Sequence, residues 1–281
     1  MLADGIKGAA HIGAIKALEE AKIKFNYIGG TSSGSIVATL YACGFTSNEI
    51  FNIFKKYCNK IKYVDFFNIL KIILGLIFTG KIIVDGLNSG RQIEKLINKV
   101  CEEKGINDIS QIKMPIVIPA VDLCNGKVFC FTSKKVRNSF SDDTIFIQKA
   151  NIGKIVRASC SYPAVFSPCI YEDRLLIDGG IRENVPWKET KLIGADKIIN
   201  ITFENEIDKD CCHNFIDVAS RSIELLCREL SIYELEGSDV NIKIKTKKVG
   251  LLDIKKINML YEEGYNQTKE QINKIKEQIN K

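Results

Sequence analysis

Five residues, Gly30-Thr31-Ser32-Ser33-Gly34, constrain this chain more than any other segment. They stand between a short apolar run, Phe25-Asn26-Tyr27-Ile28, and a small-residue stretch from Gly34 to Tyr41 that reads as a buried helix. A strand that turns at once into a helix needs glycines where its backbone is strained. In that setting G-x-S-x-G lifts the serine oxygen clear of the main chain. The helix start that follows aims free N–H groups and a positive dipole end at the same point. A Gly/Ser loop alone carries no chemistry. The strand-turn-helix context makes Ser32 a candidate nucleophile, with Gly30 and Gly34 forming its elbow.

The rest of the chain alternates helical and strand-like segments. Gly8 to Ala21 is helical, with Ile12, Ile15 and Leu18 on one face and Lys16, Glu19 and Glu20 on another. Ser47 is expected to cap a helix running to about Cys58, and Ser89 to Glu103 reads as another. Pro115 to Asp122 and Lys127 to Thr132 are strands joined by Asn125-Gly126, a hairpin signal. Lys149 to Arg157 is helical, and Arg174 to Ile177 and Asp196 to Ile201 are strands. Phe215 to Glu234 is a long helix, Val240 to Lys245 a strand, and Ile257 to Lys281 a charged helix. This alternation implies an α/β sandwich around a mostly parallel sheet. No Pro/Ser-rich linker and no repeat divides the 281 residues, so one domain is expected over 1–281.

Charge and cysteine usage narrow the function classes. The excess of 40 basic over 34 acidic residues is spread along the chain, which argues against a nucleic-acid footprint. It suits transient contact with anionic lipid headgroups. Met1-Leu2-Ala3-Asp4 has no export-signal character, so the ten cysteines are expected as thiols in a reducing, cytoplasmic setting. Cys160 and Cys169 are expected as small core residues. Cys211-Cys212-His213 lacks a second ligand pair at zinc-like spacing, so no metal site is expected.

A serine nucleophile needs a base. Of the two histidines, His11 lies inside the first helix. His213 alone follows the serine in the order of a Ser–acid–His triad, in a loose polar loop. A His213-dependent esterase therefore stays open as one reading. Asp178 is the other candidate. It ends the apolar run Leu175-Leu176-Ile177, at the carboxyl end of a strand where parallel-sheet sites gather, and Gly179-Gly180 after it permit close backbone approach. A carboxylate in this role must be well placed and partly desolvated. Gly5-Ile6-Lys7-Gly8 opens the first helix and can offer backbone N–H groups to a developing oxyanion.

Taken together, these segments resemble the patatin-like phospholipase family. The likeness runs through Gly5 to Leu18, Gly30 to Gly34, Arg157-Ala158-Ser159 to Pro168, and Asp178-Gly179-Gly180 to Pro186, about residues 2 to 202 in order. Residues 203–281 would complete the domain. The resemblance implies a patatin-like three-layer α/β/α sandwich and a Ser–Asp dyad hydrolase of lipid acyl esters, needing no cofactor and no metal. It implies Ser32 as nucleophile, Asp178 as base, and Gly5, Ile6, Lys7, Gly8 and Ser33 as oxyanion donors. It also implies lipid as partner, and a cytoplasmic protein peripheral to the inner membrane face. Two departures stand out. Ala3 replaces the first glycine of the loop, and only Met1-Leu2-Ala3 stands where the family has a full first strand, which reads as truncated. They motivate a second function class, a catalytically impaired lipid-binding or regulatory protein on the same fold.

One segment belongs to no motif. Tyr63 to Leu87 is rich in Phe, Ile and Leu but is broken by charges and glycines, and its longest charge-free run, Ile72 to Gly80, is nine residues, too short to span a bilayer. It is either an apolar cap over the cleft or core packed on the sheet, and core is the expected alternative.

Overall fold

In a computed structural model of the chain, the structure describes residues 5–58, 65–81, 84–136, 143–205, 215–246, 249 and 254–280. The first described element is a 3₁₀ turn, Gly5–Lys7, leading into α1 (Gly8–Glu20). Then come β1 (Ile28–Gly29), α2 (Ser33–Ala42), α3 (Ser47–Cys58), α4 (Phe66–Thr79), β2 (Gly86–Asn88) and α5 (Arg91–Glu102). The central part holds β3 (Ile116–Asp122), β4 (Val128–Thr132), β5 (Thr144–Ile147), α6 (Ile152–Ser159), β6 (Ala164–Phe166), β7 (Cys169–Tyr171) and β8 (Arg174–Asp178). The chain continues through α7 (Trp187–Leu192), β9 (Ile199–Asn205), α8 (Phe215–Glu234), β10 (Val240–Thr246), α9 (Ile257–Glu270) and α10 (Ile272–Ile279).

β3 is the axis of the main sheet, whose order is β5-β4-β3-β8-β7 with β1 also on β3. Every residue of β3 is buried. Its side chains alternate between two layers. Ile116, Ile118 and Ala120 join the large core, while Val117 packs with Cys130 and Ile193 on the opposite face. That two-sided burial is what a three-layer sandwich requires. Among the described strands four pairings are parallel (β1–β3, β4–β5, β2–β6, β9–β10) and three antiparallel, all three within the β4-β3-β8-β7 run.

One edge of β3 is shared, and this sharing positions everything that follows. β1 runs parallel to β3 and pairs at Ile116 and Val117. β8 runs antiparallel and pairs at Ala120, Val121 and Asp122. Their carboxyl ends therefore point at each other along a single edge. The N–H of Gly30 donates to the carbonyl of Val117 at 3.1 Å, so the odd-numbered residues of β3 turn their backbone groups to this edge. Pro119 falls at the junction, where its missing N–H interrupts no ladder. A proline in a central strand is tolerated for that reason. Asp178 was expected at the carboxyl end of a parallel strand. β8 is instead antiparallel to both neighbours, and Asp178 reaches the elbow by meeting β1 head on.

Other expectations differ in detail. The strand expected over Phe25–Ile28 pairs only at Ile28–Gly29, because β3 begins its pairing at Ile116. Thr46 rather than Ser47 caps α3. The N–H and hydroxyl of Thr46 donate to Glu49 at 2.7 and 2.8 Å, the N–H of Glu49 donates to Thr46 Oγ1, and Ser47 donates to Glu19 at 2.5 Å. The closing helix breaks at Gln271. Cys160 and Cys169 are buried, as expected, and no disulfide joins the described cysteines. Met1–Asp4, with Ala3 and the shortened first strand, and His213 lie outside the described residues.

The α1–α9 crossing depends on two glycines. A side chain at Gly13 would strike the carbonyl of Tyr261, and one at Gly264 the carbonyl of Ala10. Backbones this close leave no room for a methyl group. Gly13→Val and Gly264→Val should each lower unfolding free energy by about 1–3 kcal/mol or more, read by urea denaturation.

Candidate active site

The elbow after β1 forces Ser32 into an unusual conformation, with φ 54° and ψ −127°. A non-glycine residue there is strained. The surroundings hold it. The Ser32 N–H donates to Ser159 Oγ at 3.2 Å. The Ser32 carbonyl accepts from Ser35 Oγ at 2.6 Å and from Cys160 Sγ at 3.1 Å. Burial pushes the Cys160 thiol well up, with Asp178 adding to the rise, so it stays a protonated donor. Gly30 is obligatory, because a Cβ there would strike the carbonyl of Gly34.

Ser32 Oγ donates to Asp178 Oδ2 at 2.6 Å. Asp178 is fully buried. Its other oxygen, Oδ1, accepts the N–H of Gly180 at 2.9 Å, and its own N–H donates to the carbonyl of Ser161 at 3.0 Å. These bonds fix the carboxylate plane with one oxygen on the serine. Gly179 is packed so closely on the carbonyl of Pro119 that any side chain there would clash. The approach expected of Gly179-Gly180 is thus used at Gly179 against β3, and at Gly180 by its N–H.

The two helix starts meet beside this pair. Ser33 opens α2, and a Cβ on Gly8, the first residue of α1, would lie 3.6 Å from Ser33 Cβ. Ile6 and Lys7 of the preceding turn are buried. Residues 5–8 therefore sit next to the elbow, with both positive helix ends on one side of it. His11 borders the same cavity as Ser32; its Nε2 lies 3.2 Å from the carbonyl of Ile201, and its ring lies against Phe203. Among the described residues no group of three or more His, Cys, Asp or Glu could hold a metal ion. A cavity of about 850 Å³ borders Ser32, with Ile15, Val37, Ile201, Phe203 and Leu235 among its walls.

The structure brings together Ser32, Asp178 and the 5–8 turn, from three distant stretches of chain. It adds groups that motif reading left out. Ser35, Ser159 and Cys160 hold the elbow, and only the polar run Ser159-Cys160-Ser161 hinted at them. Glu234, at the end of α8, gave no signal. It is buried and accepts the N–H groups of Asn184 and Val185 at 3.0 and 2.9 Å, clamping the segment just past Gly180. Thr31 ties the elbow to the same segment by donating to the carbonyl of Glu183 at 2.9 Å.

Residues 5–191 match the profile of one family, described as patatin-like phospholipase, which is well over half of the chain. The chain belongs to the patatin-like phospholipase family. An uncharacterized Bacillus subtilis protein, YqhO, is 31% identical over 196 residues, covering 66% of this chain and 64% of that protein. The lysophospholipase NTE1 of Meyerozyma guilliermondii is 27% identical over 224 residues, 80% of this chain but 14% of the yeast protein. The crystal structure of VipD from Legionella pneumophila superposes with a TM-score of 0.50 at 13% identity, covering 96% of this chain and 65% of that one, a likeness of fold. The chain thus spans just under two thirds of YqhO and about a seventh of the yeast relative. The fold class expected from sequence, a patatin-like α/β sandwich, is the one observed.

Glu234 supplies a pH test. Burial pushes its carboxyl up to about 7 from an ordinary 4.5, Glu189 adds to the rise, and the two backbone N–H bonds and Lys188 oppose it. The folded protein thus holds this proton more tightly than the unfolded chain. Its contribution is complete below pH 4.5 and is lost as pH rises through about 7. Urea stability should therefore fall across that window, by about 1.4 kcal/mol per pH unit at the steepest. Glu234→Gln should flatten the slope, whatever it does to the overall level.

Proposed function

We propose that this chain is a serine hydrolase of lipid acyl esters, of the phospholipase A or lysophospholipase type, with Ser32 as nucleophile and Asp178 as base. The observation that carries the reading is the 2.6 Å hydrogen bond from Ser32 Oγ to the fully buried Asp178, made by a serine in a strained elbow conformation. Membership of the patatin-like family and the lysophospholipase name of the yeast relative support the substrate class.

In this mechanism Ser32 Oγ attacks the ester carbonyl while its proton passes to Asp178 Oδ2. The tetrahedral oxyanion is held by N–H groups of Gly5, Ile6, Lys7, Gly8 and Ser33, at the joined helix starts. Collapse releases the alcohol, which takes the proton from Asp178, and leaves an acyl-serine. Asp178 then draws a proton from water, the hydroxide portion attacks the acyl carbon, and the fatty acid leaves as the proton returns to Ser32 Oγ. The dyad needs no third residue, because Gly180 already orients the carboxylate. The apolar walls of the cavity suit an acyl chain, each buried methylene contributing about 0.8 kcal/mol. Contact with the lipid surface is transient, on a protein peripheral to the inner membrane face.

Ser32→Ala and Asp178→Asn should each lower turnover of a short-chain nitrophenyl ester by about 10³-fold or more, with unchanged melting temperature. A fluorophosphonate should label the wild type at Ser32. Equal turnover in all three proteins, with no labelling of folded wild type, would leave an inert lipid-binding protein instead.

A further inference from the structure

Exposed apolar surface gathers on two helices. On α8, Val218, Leu225, Leu226, Ile232 and Tyr233 are exposed, but exposed Ser222, Arg228 and Glu229 lie among them. α4 is different. Ile69, Leu70, Leu74, Ile77 and Phe78 are all exposed, the last two by 68% and 78%. Leu70, Leu74, Ile77 and Phe78 recur at the three- and four-residue steps that share one helix face, and Gly75 is buried on the other. The core packing expected for this segment is not what these side chains do.

No acidic residue occurs from Phe66 to Lys81, and the charges in that stretch are Lys71 and Lys81, both exposed. Fourteen residues make a helix about 21 Å long, too short for a hydrocarbon core of about 30 Å. Among the described residues no helix is long and apolar enough to cross a membrane. With Asp65 just before it and lysines as the charges along it and its following turn, this apolar face suits a helix lying in the plane of an interface.

We propose that α4 is an in-plane anchor that docks this protein on a bilayer carrying anionic lipids. Ile77 and Phe78 enter the acyl boundary, and Lys71 and Lys81 reach the headgroup phosphates. The helix itself carries no acid to pair Lys71 of a second copy, so an anionic bilayer is the occupant proposed and self-association is an outcome of the test. The anchor is joined firmly to the elbow's supports. The N–H of Asp65 donates to the carbonyl of Leu87 at 3.0 Å, and Asn68 Nδ2 to that of Gly86 at 3.1 Å. β2 pairs with β6, which follows Ser159, Cys160 and Ser161 in the chain. Docking α4 thus holds those supports at the lipid surface. The proposal takes its biological sense from the lipid-hydrolase reading, but binding requires no chemistry at Ser32.

The test is co-sedimentation of the full chain with vesicles of phosphatidylcholine alone or mixed with phosphatidylglycerol, alongside melting temperature and short-ester turnover. Wild type should bind the mixed vesicles more tightly. Phe78→Asp and Ile77→Asp should each weaken that binding about tenfold or more, and Lys71→Glu with Lys81→Glu should abolish the preference for phosphatidylglycerol. Leu226→Asp on α8 should change nothing, and every variant should keep wild-type melting and ester turnover. Equal binding by the α4 variants and wild type, or no binding by wild type, would overturn the anchor. So would a lowered melting temperature in both aspartate variants, or a self-association lost in them without any vesicle binding. Absent ester turnover with vesicle binding intact would refute the hydrolase reading and leave the anchor standing.

Discussion

Two strands end against one edge of β3, and the rest of the site depends on that meeting. β1 enters parallel and β8 antiparallel, so their carboxyl ends converge beside Pro119. The turn after β1 carries Ser32, and the last residue of β8 is Asp178. Residues 146 positions apart are thereby set at 2.6 Å. Gly179 permits the convergence, because its backbone lies against the Pro119 carbonyl without a side chain between them. Elsewhere in the sheet an antiparallel neighbour is ordinary. At this edge it is what aims Asp178 at Ser32.

The elbow stores strain, and neighbouring groups from other elements offset it. Ser35 reaches back from the first turn of α2, while Ser159 and Cys160 come from the end of α6. All three grip the main chain of Ser32 and leave its oxygen to Asp178. Such over-determination is how a sparsely populated φ/ψ persists. It also couples the elbow to the fold's outer parts: α6 packs on the main sheet, and the strand after it carries β2 and so α4. On the other flank, Glu234 clamps residues 184 and 185 from α8. An acid buried there favours its protonated form, so the same contact that orders the segment past Asp178 makes it sensitive to pH.

How far the sequence could be read depended on whether local patterns or long-range contacts set each feature. Helical periodicity from Gly8 to Leu18 and from Phe215 to Glu234 was plain, since amphipathic spacing is local. The Asn125-Gly126 turn joins β3 and β4 as its dipeptide suggests, with Gly126 at φ 74°. The weak strands were another matter. β1 is two residues long and exists because β3 offers it a partner, so neither its length nor its end was visible in Phe25-Asn26-Tyr27-Ile28. α4 was the hardest to read. The ten apolar side chains from Phe66 to Phe78 look the same to composition whether they face a core or a lipid, and exposure alone separates the cases.

What the sequence determined by itself was the chemistry on offer: a serine in a strand-turn-helix elbow, an aspartate before two glycines, a glycine turn opening a helix, and the order that places the chain in its family. These are short motifs whose meaning lies in neighbouring residues, where turn sterics and capping act. Only the tertiary structure decided which groups touch. That Asp178 faces Ser32 across an antiparallel junction, that Cys160 and Ser35 share its carbonyl, and that Glu234 reaches back fifty residues are consequences of packing. Contacts between segments far apart in the chain are set by sheet register and buried volume, and no local pattern records them.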